Sequence, residues 1–161
     1  MHPATRLMIP ALLLAACHGA EGITRSADAI IGDVVVTVAI PDGLEAGGIP
    51  GGLTIRRPRA EQTRRPSELT LTAAGGVSPI PLDRAHGTGA AAIRYGLKRE
   101  AGGSGGDAVT LIAERRCGML PLRLRLDTQV EENGTVDPAP VLAMLASARC
   151  SPSAGRMSGA G

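Results

Sequence analysis

The chain has 161 residues with 17 basic and 15 acidic side chains, a formal charge of +2. That length suffices for one domain with a modest core, and the near balance of charge excludes the strong basic excess of a nucleic-acid binder. Phe and Trp are absent and Tyr95 is the single aromatic residue. Stacking platforms for bases or sugar rings are therefore missing, and the core falls to Leu, Val, Ile and Ala.

The N-terminus reads as an export signal. One positive charge, Arg6, precedes an apolar run over residues 7–16 that Pro10 interrupts. A spanning helix needs about 20 apolar residues, so this run fits the apolar segment of a signal peptide. It ends in Leu14-Ala15-Ala16-Cys17, which resembles the lipobox of bacterial lipoproteins. The resemblance covers roughly the first 18 residues. It implies cleavage after residue 16, a diacylglyceryl group on the Cys17 sulfur and acylation of the new N-terminus. His18 follows where an Asp would redirect sorting, so the implied location is the outer membrane, facing the periplasm. Removing residues 1–16 takes away Arg6 and lowers the formal charge from +2 to +1. Each buried methylene contributes about 0.8 kcal/mol, so two or three acyl chains hold a protein on the bilayer durably. Residues 17–27, small and polar, read as a flexible leash, residues 28–150 as one β-rich domain, and residues 151–161 as a disordered tail.

Residues 30–40 (IIGDVVVTVAI) are a β-branched run and a strand. Val34, Val36, Val38 and Ile40 share one side, and Val35, Thr37 and Ala39 the other, which suits a central position. Turn formers follow over residues 41–52, then a short strand at 53–55. Residues 56–68 (RRPRAEQTRRPSE) hold five arginines and two prolines and read as a solvated loop. Residues 67–73 alternate as a strand, 75–89 are irregular, and 92–99 alternate again. The glycine-rich stretch 101–106 turns the chain into a returning strand at 107–116, a hairpin. Residues 120–126 (LPLRLRL) alternate Leu with Pro121, Arg123 and Arg125. The arginine side should be wet, and Pro121, lacking a ladder donor, places this strand at an edge. Residues 132–135 (ENGT) signal a turn. Asp137 then reads as an N-cap with Pro138 at the first helical position, and Val141, Leu142, Leu145 and Ala148 form a helical stripe. The predicted fold is α+β, an antiparallel sheet of about five or six strands with one C-terminal helix packed on it.

Candidate chemistry is sparse. With Cys17 acylated, Cys117 and Cys150 remain, and in an oxidising compartment two remaining thiols read as a disulfide. No CxxC spacing supports a metal site. His86, the one histidine of the folded region, sits in a loop sequence without GxSxG, so a hydrolytic triad lacks its parts. Residues 87–92 (GTGAAA) match GxGxxA, but a dinucleotide fingerprint needs a strand before and a helix after. No cofactor motif remains, and the chain reads as a binding protein, not an enzyme. Arg56, Arg57, Arg59, Arg64 and Arg65 form the candidate non-covalent site, suited to phosphates or to an acidic protein.

Residues 95–150 (hairpin with a GGSGG tip, strand, then the DPAPVLAMLASARC helix) are similar to small lipoproteins that act as type VI secretion immunity proteins. The resemblance covers about a third of the chain and implies a protein partner, a toxin whose active site is occluded. A structural or assembly accessory lipoprotein of an outer-membrane complex is the alternative. Cys17→Ser should leave a soluble or uncleaved species, read by membrane fractionation. Unchanged fractionation would remove the lipid anchor.

Overall fold

The computed structural model describes residues 25–61, 67–102, 106–131 and 134–153. Cys17, the signal segment, Arg64, Arg65, Glu132, Asn133 and the tip of the glycine loop lie outside the described residues. Among those described, ten strands and one α-helix form an α+β fold, as the sequence predicts, but the strands divide between two antiparallel sheets.

The first sheet has three strands. β1 (Arg25–Ile31) and β2 (Val34–Ile40) form a hairpin, and β10 (Arg149–Pro152) pairs on the other side of β2. The run 30–40, expected as one strand, therefore splits. A two-residue turn, Gly32-Asp33, separates Ile31 from its register partner Val34, and Gly32 takes a φ of 62°. Glycine reaches that left-handed conformation without steric cost, as tight hairpins require. β1 begins inside the stretch read as a leash, and β10 takes Ser151 and Pro152 from the stretch read as tail.

The second sheet has seven strands in the order β3-β4-β5-β9-β8-β7-β6. These are β3 (Glu45–Ile49), β4 (Gly52–Arg56), β5 (Glu68–Ala73), β6 (Arg84–His86), β7 (Ile93–Ala101), β8 (Asp107–Cys117) and β9 (Leu120–Val130). The hairpin of β7 and β8 is present, but β9 lies between β5 and β8 and not at an edge. The reason is local. Ala74 donates its N–H to Pro121 O at 2.8 Å, and a strand residue's N–H and C=O point to the same side. The return bond from Pro121 is impossible, and β5 stops at Ala73, so the missing donor falls where the partner strand ends.

One apolar cluster joins the layers. Val36, Val38 and Ile31 from the small sheet meet Ile55, Leu71, Leu111, Leu122 and Leu124 from the large one. The helix α1 (Ala139–Ser147) adds Val141, Leu142, Met144 and Leu145. Full burial of each such aliphatic side chain contributes about 1.5–3 kcal/mol, so the number of aliphatic residues substitutes for aromatic area.

The outer face of the large sheet is less wet than its arginines suggest. Arg123 pairs with Glu114 at 2.6 Å and also donates to Gly76 O, while Arg94 donates to Leu82 O. These bonds hold the loop 74–83 over the sheet, where Ile80 and Ile112 are buried. Gly96 is buried there because a side chain would overlap Pro81 O. At Asp127 burial disfavours the charge, yet hydrogen bonds from Arg125 and Thr110 keep its carboxyl below the usual aspartate value.

Cys117 and Cys150 are bridged, across a separation of 33 residues. Cys150 lies in β10 and not at the helix end, so the bridge links the large sheet to the small one. Chain entropy for a loop of this size gives roughly 3–4 kcal/mol. Reduction, or the Cys117→Ala/Cys150→Ala pair, should lower the melting temperature of the protein, and a thiol assay finding two reactive cysteines in the untreated protein would contradict the bridge.

Candidate protein-interaction site

Of the five sequence-adjacent arginines, Arg56, Arg57 and Arg59 lie among the described residues. Arg56 ends β4, with Glu45 and Glu68 as its register partners on either side. Arg59 opens a single 3-10 turn, Arg59–Glu61, and is exposed. Arg56 and Arg57 line a groove of about 430 Å³ between the β4–β5 end of the sheet and the helix. Leu44, Leu69, Leu126, Val141 and Met144 also line the groove, and Asp42 and Asp137 share it with the two arginines. Its charge is thus mixed, and its apolar lining suits a protein surface better than a phosphate.

Asp137 does two things at once. Its Oδ1 accepts the Ala139 N–H at 2.9 Å, which satisfies one of the orphan donors of the first helical turn. Leu142 N bonds to Pro138 O at 3.0 Å and the helix begins at Ala139, so Pro138 stands at the N-cap, one position before the first helical position that the sequence predicts for it. The cap fixes where Pro140, Val141 and Met144 meet the groove.

A second hollow was not foreseeable from neighbouring residues. Arg25 at the start of β1, Arg115 in β8 and Arg149 at the start of β10 border a depression of about 630 Å³. Ser26, Thr37, Ala39 and the end of the helix complete it. Arg115 Nη1 donates to Ala146 O at 2.6 Å and to Leu145 O at 3.0 Å, adding a cationic donor at the helix end, where Leu145 O also accepts the Ala148 N–H. Ser147 Oγ accepts the Ala39 N–H at 2.9 Å and donates to Met144 O at 2.6 Å. It takes up an N–H on β2 beyond the end of β10, so helix, small sheet and large sheet meet in one hydrogen-bonded corner. The signal in the sequence was weak: three arginines far apart, each beside a strand or helix end.

His86 lies in the edge strand β6, exposed, opposite Ile93. Residues 89–91 form one 3-10 turn leading into β7, not the helix that a dinucleotide fingerprint requires. Gly134 N bonds to Glu131 O at 2.8 Å, while Glu132 and Asn133 of the expected turn lie outside the described residues.

Asp137→Ala should cost about 0.5–2 kcal/mol of stability, read by denaturant unfolding. A change within error would show that the cap contributes nothing.

A search of curated proteins finds no match to the chain. Residues 37–149, more than two thirds of its length and running from within β2 through the helix to the first residue of β10, match the Type six secretion immunity 3 domain. The chain belongs to the Type six secretion immunity 3 domain family.

Proposed function

We propose that this protein is an immunity protein, which binds a toxin delivered by a type VI secretion system and inhibits it by occlusion. The family match over residues 37–149 carries the reading. The architecture supports it: two cross-linked sheets make a rigid platform, and its hollows mix apolar lining with charged residues, as protein interfaces do. Rigid surfaces lose little conformational entropy on binding.

In the same reading Cys17 is lipidated and the protein faces the periplasm from the outer membrane. Arg25 is eight residue steps from Cys17, and an extended chain covers at most about 3.3–3.6 Å per step. The leash would then reach roughly 26–29 Å, keeping the domain close to the bilayer that an incoming toxin must pass.

The test is co-expression with a type VI secretion toxin from the same genome, exported to the periplasm. The chain should rescue growth and co-purify with the toxin, with inhibition saturating at a fixed stoichiometry. Absence of rescue overturns the reading. Loss of toxin activity at far below stoichiometric amounts would point to an enzyme instead, and co-purification with an assembly complex to the accessory role.

A further inference from the structure

We infer that the depression bordered by Arg25, Arg115 and Arg149 receives an acidic segment of the protein partner, an inference that rests on the immunity reading. The three arginines stand at chain positions 25, 115 and 149, and topology alone brings them to one hollow. Among the described residues no carboxylate lines it. Among the described acids, Asp28 lies across Thr37 from Arg149 in the same row, and Glu45 shares a smaller neighbouring hollow with Arg25. Among the described residues, the ion pairs engage Lys98, Arg99, Arg123 and Arg125, all on the large sheet.

The three have different tasks. Arg115 is held against the carbonyls of Leu145 and Ala146, where it offsets the negative end of the helix dipole. Arg25 and Arg149 are exposed on either side and supply the uncompensated charge. The groove beside Arg56 and Arg57 carries its own acids, Asp42 and Asp137, and so has less charge to offer a partner. Guanidinium groups bind carboxylates through paired hydrogen bonds. The small apolar Ala39, Ala146 and Ala148 between the arginines suit the methylenes of Asp and Glu side chains better than a fully hydrated phosphate.

The experiment uses the mature protein, purified from membranes in detergent, and the type VI secretion toxin that it protects against in the co-expression test. Association is timed at low and high salt for the wild type, Arg25→Glu/Arg149→Glu and Arg59→Glu. Arg115 stays in place because it braces the helix. The double reversal should slow association by at least about tenfold at low salt, with the difference shrinking as salt screens it, while Arg59→Glu changes little. Thermal melting confirms that each variant is folded. If the reversal unfolds the protein, Arg25→Gln/Arg149→Gln replaces it and should show a smaller slowing of the same salt dependence.

Equal association by wild type and a folded double variant overturns the role of the depression and leaves the immunity reading intact. A wild type that does not bind the toxin overturns both. A double variant that keeps toxin binding but loses retention on phosphatidylglycerol vesicles assigns the surface to lipid and overturns the inference.

Discussion

The Cys117–Cys150 bridge is the covalent link on which the arrangement of layers depends. Cys117 ends β8 in the seven-stranded sheet, and Cys150 lies in the four-residue β10 of the small sheet. A four-residue edge strand has few ladder bonds of its own, so the bridge holds it in place beside β2. Arg115 and Ser147 act at the same corner: one donates to the helix carbonyls, the other takes the Ala39 N–H. With the partly buried Tyr95 as its one aromatic residue, the apolar interior rests mainly on aliphatic contacts, and these alone are non-directional. The bridge and the two polar contacts supply the direction.

That corner also determines which charges meet. Strand ends bring Arg25 and Arg149 to the rim that Arg115 already occupies. Of the arginines adjacent in sequence, the described ones lie along a strand end and a turn, with Glu45 and Glu68 in register with Arg56. Topology builds a cationic surface from residues scattered in sequence. Association with a folded partner reads that arrangement, since approach depends on the summed field and not on sequence adjacency.

Much of the fold was legible because its period is simple. Leu122, Leu124 and Leu126 alternate with Arg123 and Arg125, and the leucines are buried. The helical stripe at Val141, Leu142 and Leu145 is buried as its spacing requires. What escaped has physical causes. The Gly32-Asp33 turn was hidden between two β-branched runs, whose shared composition disguises the reversal. Ala27, Ala29 and Ile31 carry the period of a strand, but small side chains give it little amplitude. Pro121 was placed at an edge by a rule about donors, whereas its neighbour strand simply ends there. The depression needed three-dimensional pairing: no local pattern relates residues 25, 115 and 149. The disulfide was legible by counting, but its function was not, because Cys150 reads as the end of a helix until β10 is seen.

One consequence follows from a bridge that spans the layers. The depression draws on β1, β2 and β10 from one sheet, β8 from the other, and the helix end. A freshly translated chain with both sulfurs still reduced has every side chain of this surface yet lacks the tie that sets its width. Competence to engage a partner would then be acquired with oxidation, which the proposed export to the periplasm would supply. In that reading chemistry of the surroundings, rather than synthesis, sets the moment at which the protein becomes a binder.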